Sequence, residues 1–336
     1  MRYLVTGSAG FIGFHVAKQL IAEGHEVLGI DAMTPYYDVQ LKRRRHEILL
    51  ESTSFSAQEF ALEDMSSLQT AYANNPPDVV IHLAAQAGVR YSLENPRAYI
   101  DSNVIGTFNV LELARAFCPK HVLLASTSSV YGANTEMPFR EQDRADTQLT
   151  IYAATKKAAE AMAHSYAHLF GVPTTVFRFF SVYGPWGRPD MALFLFTAAI
   201  LRGEPIKLFN GGEMERDFTF VDDITQAILL LSSIPPEIAA DPANASSKGQ
   251  SSVGPFRVVN IGNGNPIPLL RFVEAIEKSL GKRAERELLP MQPGDVPATF
   301  ADNTLLFDLT GFRPATTVED GVEQFIRWYR DYHAPR

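Results

Sequence analysis

The first twenty residues restrict the fold of this chain more than any other stretch. Residues 3–5 form a short apolar strand that runs directly into a glycine turn, and apolar residues continue at helical spacing through Val16 and Leu20. The turn has the spacing Gly-x-x-Gly-x-x-Gly, which permits a tight bend, close approach of backbone to an anion, and close packing of the helix. The N-terminus of the helix offers free N–H groups to a diphosphate. This pattern predicts a dinucleotide site, and the residues expected to contact the dinucleotide are Gly7, Gly10, Phe11, Ile12 and Gly13.

The second predicted strand supplies a carboxylate at the position where such sites bind ribose. Residues 26–30 are strand-like and end at Asp31. A carboxylate there accepts hydrogen bonds from the adenosine ribose hydroxyls. It would repel a 2'-phosphate, so Asp31 favours NAD over NADP. Another buried strand, residues 78–83, leads to small residues that let backbone pass near the cofactor, and the contacts expected there are Leu83, Ala84 and Ala85.

A third feature predicts the reaction centre. An apolar run at 121–125 delivers Thr127 to the end of a buried strand, and Tyr152 and Lys156 follow on an alanine-rich helical segment. Residues four apart share a helix face. The pKa of a free phenol is about 10, and a neighbouring ammonium lowers it. Thr127 would hydrogen-bond the same substrate oxygen. Tyr152, Lys156 and Thr127 are therefore the predicted catalytic residues, and the first two are also expected to contact the cofactor.

This combination resembles the extended short-chain dehydrogenase/reductase superfamily, and the resemblance covers nearly the whole chain. It implies that Asp64 and Met65 contact adenine, although Asp64 alone would be a plausible helix N-cap. It also implies that Asn103 supports the cofactor site. The run from Arg178 to Ala192 resembles the UDP-glucuronate 4-epimerases, in which the position of Ser181 usually holds Thr.

The second resemblance implies a UDP-sugar substrate and a set of residues that bind it. Gln86 and Arg90 project beyond a strand end. Ser128, Ser129 and Ser181 offer hydroxyls to a carboxylate, with Arg188 nearby. Phe209 is expected to pack on uracil. Arg216 resembles a diphosphate ligand, and Asp295 lies in a loop that closes over the nucleotide in relatives. Many relatives have Arg where this chain has Gln292.

Several reactions compete within this class of enzyme. A dehydratase commonly has an Asp-Glu pair after the threonine, whereas Ser128 and Ser129 follow Thr127 here. UDP-glucuronate decarboxylases usually have Glu at the position of Ser129. UDP-glucose/UDP-galactose 4-epimerisation uses the same Tyr, Lys and Thr and is the runner-up to epimerisation of UDP-glucuronate. A cofactor-binding regulator without activity is disfavoured because all three catalytic residues are present.

Composition excludes other classes of function. The formal net charge of −8 gives no reason to expect a nucleic-acid partner, and the basic run at 42–45 is expected to be a solvated helix face. Cys118 is the only cysteine, which excludes an intrachain disulfide and a cysteine metal cluster. No apolar run of membrane-spanning length occurs, and the chain opens on a strand instead of a signal segment. A soluble cytoplasmic protein with no membrane partner is the expectation.

Alternating strands and helices predict an α/β fold with a doubly wound parallel sheet of the Rossmann type and a smaller mixed α/β lobe. Residues 1–180 are expected to form the NAD-binding domain. Residues 181–336 are expected to form mainly the UDP-sugar lobe, with 216–233 packing back on the first domain. The stretch 234–255, rich in Pro, Ala, Ser and Gly, is an expected surface insertion. Surplus apolar residues in helices 99–117 and 152–170, and the family's four-helix contact, imply a homodimer.

Overall fold

The computed structural model describes residues 1–240, 245, 249–292 and 295–334. Its centre is a seven-stranded sheet in which all neighbouring strands are parallel. In order across the sheet the strands are Phe256–Ile261, Thr174–Phe179, His121–Thr127, Val79–His82, Arg2–Thr6, Glu26–Asp31 and Phe55–Glu59. The strand order reverses beside Arg2–Thr6, which places a crevice at the carboxyl ends of the strands around it.

Helices pack on both faces of this sheet, because its inner strands are buried along their length; every residue of His121–Thr127 and of Val79–His82 is buried. The longer helices are Phe11–Ala22, Val39–Leu50, Met65–Asn74, Gly106–Phe117, Ile151–Phe170, Ala192–Arg202, Val221–Ser232, Leu269–Leu280 and Val318–Tyr332. The short helical segments are Tyr91–Glu94, Pro96–Tyr99, the π-helix Ile100–Ile105, the 3₁₀ turns Ser128–Tyr131 and Asn210–Gly212, and Thr304–Thr310.

A second lobe has a core of its own, made entirely of residues after 181. Phe218 and Phe272 stack at its centre with their rings 4.0 Å apart, and Val322, Phe325 and Ile326 of the last long helix pack against them. Three small sheets belong to this half of the chain. Their strands are Ser181–Tyr183 with Phe218–Phe220, Ile206–Phe209 with Arg286–Leu289, and Glu215–Arg216 between Ile267–Pro268 and Ala298–Thr299.

After residue 181 the chain returns to the first lobe at three described elements, of which the last, the helix Thr304–Thr310, places Leu306 in the core of that lobe. The helix Val221–Ser232 packs against Phe11–Ala22 and contributes Ile224, Ala227 and Ile228 to the same core. The strand Phe256–Ile261 then adds to the edge of the large sheet. The helix Val221–Ser232 lies in the stretch that the sequence predicts to pack back on the first domain. The strand Phe256–Ile261 was not predicted to join the large sheet, because the sequence of a short apolar strand does not indicate which strand it pairs with.

The predicted α/β fold with a doubly wound sheet is confirmed. The passage 202–215 contains the strand Ile206–Phe209. Of the expected insertion at 234–255, residues 241–244 and 246–248 lie outside the described residues. Across the described part of the chain, no helix combines the length and apolar character needed to cross a membrane.

Candidate active site

A cavity of about 490 Å³ lies at the carboxyl ends of the strands, where the sheet meets the second lobe. Nineteen residues predicted from the sequence line it. They are Gly7, Gly10, Phe11, Ile12, Gly13, Asp31, Leu83, Ala84, Ala85, Gln86, Thr127, Ser128, Ser129, Tyr152, Lys156, Ser181, Arg188, Arg216 and Asp295. The fold thus brings the predicted dinucleotide turn, the predicted catalytic residues and most of the predicted substrate residues to one place.

The glycine turn is packed too closely for side chains. Gly7 has φ +73°, and a Cβ on it would lie 2.8 Å from the backbone nitrogen of Ala84. A Cβ on Gly13 would lie 2.1 Å from the carbonyl oxygen of Gly7. The backbone of the turn therefore faces the cavity without shielding by side chains. Such an exposed turn at the start of the helix Phe11–Ala22 fits a dinucleotide diphosphate.

Asp31 is the last residue of its strand and lies at the cavity, where backbone N–H groups bind its carboxylate. Its carboxylate accepts hydrogen bonds from the N–H groups of Ala9 at 3.1 Å and Met33 at 2.9 Å. These contacts set the carboxylate beside the glycine turn. The side chain is therefore positioned at the wall of the cavity, as expected for a group that meets ribose hydroxyls.

Thr127 and Tyr152 come from two elements that meet at the cavity. Thr127 closes the strand His121–Thr127, and its hydroxyl donates to Ser129 Oγ at 3.2 Å. Tyr152 lies in the first turn of the helix Ile151–Phe170, which Thr150 caps through the N–H of Ala153. Burial raises the pKa of the Tyr152 phenol, while Thr127 and Arg188 act to lower it. The sequence predicts a lowered pKa for this phenol. The pKa is raised instead, because the effect of desolvation is larger than the opposing effects of Thr127 and Arg188.

Lys156 lies one helical turn after Tyr152 and is 3% exposed. Burial lowers the pKa of its ammonium to about 8, and Glu160 on the next turn opposes that change. The group is therefore mainly protonated at pH 7. A buried cation one turn from the phenol matches the geometry predicted from the Tyr-x-x-x-Lys spacing.

Glu160 anchors the helix Ile151–Phe170 to the sheet, a role that the sequence analysis missed. Its carboxylate accepts from Ser126 Oγ at 2.6 Å and from the guanidinium of Arg178 at 2.8 and 2.9 Å. Although burial alone would raise it, Arg178 and Lys157 hold the pKa of Glu160 at about 2. The carboxylate thus joins the strand position before Thr127, this helix and the next strand. The available signal was the i, i+4 spacing of Glu160 from Lys156.

Asn103 supports the cavity without lining it. It lies in the π-helix Ile100–Ile105 and is fully buried. Its amide accepts from the N–H of Gln86, donates to the carbonyl of Gln86 and donates to Thr155 Oγ1, each within 3.0 Å. It therefore fixes the loop that contains Gln86 to the helix Ile151–Phe170.

Arg188 reaches the cavity already paired. Its Nε and Nη2 donate to both carboxylate oxygens of Asp190, and Tyr36 also donates to Asp190 at 3.0 Å. The guanidinium lies 5.8 Å from the ring centre of Tyr36. Tyr36 and Tyr37, which line the cavity, were missed because isolated tyrosines in a loop carry no pattern.

On the other side of the cavity, Arg216 and Asp295 form an ion pair with an N–O distance of 2.7 Å. Arg216 also donates to the carbonyl oxygens of Val296 and Pro297. Burial lowers the pKa of Arg216, and Asp295 opposes the change. The loop that contains Asp295 therefore lies directly on Arg216. Residues 293–294 of that loop lie outside the described part of the chain.

Besides Asn103, four predicted site residues do not line the cavity. Asp64 caps the helix Met65–Asn74, where its carboxylate accepts from the N–H and hydroxyl groups of Ser66 and Ser67. Leu62 and Glu63, just before it, line the cavity instead of Asp64 and Met65. Arg90 and Phe209 contact each other, with the guanidinium 4.7 Å from the ring centre. Neither side chain of this cation–π pair lines the cavity.

The basic run at 42–45 is not the solvated face that the sequence predicts. Lys42 is 6% exposed and lines the cavity, and Arg45 is fully buried; Arg43 alone is exposed outright. Lys42 donates to the carbonyl and hydroxyl oxygens of Thr34. The prediction was wrong because Leu41 and Leu49 define the inner face of the helix Val39–Leu50, and helical spacing puts Lys42 and Arg45 on that same side.

Comparisons with known proteins agree with this geometry. The family described as "NAD dependent epimerase/dehydratase family" matches residues 3–240. The "Probable UDP-glucuronate 4-epimerase" of Rhizobium meliloti is 60% identical over 331 residues, covering 98% of this chain and 97% of the relative. UDP-glucuronate 4-epimerase 2 of Arabidopsis thaliana is 43% identical over 98% of this chain and 76% of its own.

A solved structure is similar over the whole chain. The UDP-glucuronic acid 4-epimerase of Bacillus cereus, in complex with UDP-glucuronic acid and NAD, has a TM-score of 0.86 and 29% identity, covering 99% of this chain and 100% of the other. The family match covers well over half of the residues, and the relatives extend over nearly all of them. The chain therefore belongs to the NAD dependent epimerase/dehydratase family.

Proposed function

We propose that this chain is an NAD-dependent enzyme that interconverts UDP-glucuronate and UDP-galacturonate. The observation that supports it most is that Thr127, Tyr152 and Lys156 share one cavity with the glycine turn and with Arg188. The relatives named for this reaction extend over nearly the whole chain.

The first lobe provides the residues that hold NAD. The glycine turn takes the diphosphate, Asp31 takes the adenosine ribose, and the backbone of Leu83, Ala84 and Ala85 borders the dinucleotide. When bound, NAD supplies the acceptor and donor of hydride for the sugar C4 carbon and a positively charged ring that favours the phenolate. Lys42, Leu62 and Glu63 join this set because they line the same cavity. Asp64 and Met65 stay predictions from the family resemblance.

Tyr152 carries out the proton transfer. Its phenolate takes the proton from the sugar 4-hydroxyl, and Thr127 donates a hydrogen bond to the oxygen that becomes the ketone. The buried ammonium of Lys156 stabilises the phenolate. The 4-keto sugar rotates, and Tyr152 returns its proton to the carbonyl oxygen when the opposite face is reduced. No net proton is consumed in a turnover.

The second lobe provides most of the residues that hold the UDP-sugar. Arg216, held by Asp295, binds the diphosphate, and Gln86 lies near the sugar. Ser128, Ser129 and Ser181 bind the carboxylate together with Arg188. Residues 1–180 act as the NAD domain and 181–336 mainly as the substrate lobe. The substrate contacts of Arg90 and Phe209 stay predictions, since the two side chains contact each other in the structure.

Incubation with UDP-glucuronate and with UDP-glucose separately, followed by NMR of the products, tests the function. UDP-galacturonate from the first substrate is the expected result. Preferred conversion of UDP-glucose would indicate UDP-galactose epimerisation, and UDP-xylose would indicate decarboxylation; either product would refute the proposal. Neutral hydroxyls at Ser128 and Ser129, where decarboxylases have a glutamate at the second position, favour epimerisation.

The carboxylate contacts give the first prediction. Hydrogen bonds to charged groups contribute about 1.5 to 3 kcal/mol each. Arg188→Ala or Ser129→Ala should therefore reduce kcat/KM for UDP-glucuronate about tenfold to a hundredfold. Without these contacts the carboxylate can leave the sugar plane, so that the C–C bond to it aligns with the π system of the C4 ketone. This alignment permits loss of carbon dioxide, so the yield of UDP-pentose or 4-keto-pentose should increase. NMR and release of carbon dioxide measure both effects; normal epimerisation by both variants would exclude these contacts.

The second prediction concerns assembly, since we propose a homodimer. Large apolar side chains are exposed along the two helices expected to pair; they are Ile100, Ile105, Phe108, Phe117, Ile151, Leu169 and Phe170. Light scattering at micromolar concentration should give twice the chain mass. Phe108→Lys should shift the protein towards monomer because it places a charge in an apolar contact. Leu288→Lys, at another exposed apolar position, should leave the mass unchanged. A monomeric wild type would contradict the prediction.

A further inference from the structure

Arg45 is the largest fully buried side chain in the described part of the protein. It projects from the helix Val39–Leu50 towards the glycine turn, not into the cavity. Its Nη1 donates to the carbonyl oxygen of Ala9 at 2.7 Å and to the hydroxyl of Tyr37 at 2.8 Å. Its Nη2 donates to the carbonyl oxygen of Trp186 at 2.6 Å. A single guanidinium thus connects three separate segments of chain.

Arg45 has no directly paired carboxylate in the described part of the protein. Among the described residues no carboxylate lies within 4.0 Å of it, so it forms no ion pair, and its Nε has no hydrogen-bond partner. All of its acceptors are neutral. Burying an unpaired cation is costly, and an apolar side chain of similar volume would avoid that cost. A side chain whose only role was to fill space in the core would not need this positive charge.

The three segments that Arg45 joins all belong to the proposed site. Ala9 lies inside the glycine turn, and its N–H donates to Asp31. Tyr37 lines the cavity beyond Asp31. Trp186 lies two residues before Arg188, and Arg45 also reaches the carbonyl oxygen of Gly187 at 3.5 Å. The planar fork of arginine can hold these groups in one fixed arrangement, which a lysine ammonium cannot reproduce.

We propose that Arg45 is a positioning residue that fixes the dinucleotide turn and the Arg188 loop relative to each other, with the dinucleotide diphosphate supplying the missing negative charge. This inference rests on the proposed function for the identity of the two ligands. It couples the two halves of the site, because a shift of either segment would move the other through the guanidinium.

Loss of Arg45 has a specific expected signature. Without the guanidinium, the carbonyl groups of Ala9 and Trp186 lose their shared donor, and the turn loses a nearby positive charge. NAD binding and the KM for UDP-glucuronate should both weaken. The groups that transfer the proton, Tyr152 and Thr127, are untouched, so kcat at saturation should change little.

The experiment compares Arg45→Met, Arg45→Lys and the control Arg44→Met. Arg44 is the preceding residue, with a 40% exposed side chain paired with Glu47. The readouts are the rise in Tm on adding NAD, the NAD retained after gel filtration, and KM and kcat with UDP-glucuronate at saturating NAD. Arg45→Met should weaken NAD binding and raise KM about tenfold each, the size expected from lost charge-assisted hydrogen bonds, with kcat within about threefold.

Arg45→Lys separates charge from geometry. It should restore most of the NAD-dependent rise in Tm but keep the raised KM, because a point charge cannot hold both segments. Wild-type values for Arg44→Met are expected. If Arg45→Met does not fold, the lysine variant decides alone: a normal KM would refute the positioning role. A fall in Tm without any change in NAD binding or KM would also overturn the proposal, since it would show a structural role only.

Failure of the proposed function would look different. A wild-type protein that binds NAD but does not convert UDP-glucuronate would refute that function and the coupling to Arg188. The effect of Arg45→Met on NAD retention would then still measure its action on the dinucleotide turn alone.

Discussion

Replacing Tyr152 with phenylalanine should reduce turnover of UDP-glucuronate by about a thousandfold, within the range that a general acid or base contributes. The substitution removes only the oxygen that transfers the proton. The ring remains in contact with Tyr99, whose ring centre lies 6.0 Å away, so the helix Ile151–Phe170 should pack as before. Steady-state assays with UDP-glucuronate measure the loss, and the NAD-dependent rise in Tm should be unchanged.

Tyr166→Phe is the matched control for this prediction. Tyr166 lies on the same helix, but its hydroxyl donates to Glu112 and it does not line the cavity. Its loss should leave turnover within about twofold, as expected for a substitution away from the proton-transfer group. Near-normal activity of Tyr152→Phe would remove Tyr152 from its role, whereas equal losses in both variants would point to damage to the helix.

Replacing Lys156 with methionine should reduce turnover about a hundredfold or more and also weaken NAD binding. The phenol of Tyr152 is partly buried, and this burial raises its pKa, so the base form depends on nearby positive charge. Lys156 provides such a charge because a pKa of about 8 leaves it mainly protonated at pH 7. Its ammonium is also expected near the nicotinamide ribose. Methionine keeps the length of the apolar stem, so the loss reports on the charge.

Lys157→Met tests whether any lysine in this turn would give the same effect. Lys157 is half-buried and pairs with Glu160 at 3.0 Å, but it does not line the main cavity. Glu160 keeps its two contacts from Arg178 and one from Ser126, so this variant should fold and retain most activity. Kinetics and NAD titration separate the two lysines. Equal loss of activity in both variants would contradict a specific role for Lys156.

Much of this site was predictable because its residues are local in sequence. The glycine turn follows its strand directly, and Tyr152 and Lys156 share a helix face through a spacing that any α-helix enforces. The end of a buried parallel strand also determines where Asp31 and Thr127 must lie, at the carboxyl edge of the sheet. For these residues, periodicity and the general geometry of parallel sheets are sufficient.

Other features depended on contacts between distant segments. Arg45 looks like part of a solvated run because two of its partners, Ala9 and Trp186, lie in segments far from it along the chain. The pairing of Arg90 with Phe209 was hidden for the same reason. Desolvation also reversed the expected direction of the pKa of Tyr152, and desolvation depends on everything packed around a group.

The sequence by itself therefore determined the fold class and the glycine turn and predicted the catalytic trio, since each follows from spacing within one or two consecutive elements. Only the tertiary structure decided which charges are buried, which predicted ligands line the cavity, and which side chains hold its two halves together. The physical reason is that burial and hydrogen-bond partners are set by long-range packing. The local spacing of residues along a strand or helix does not predict that packing.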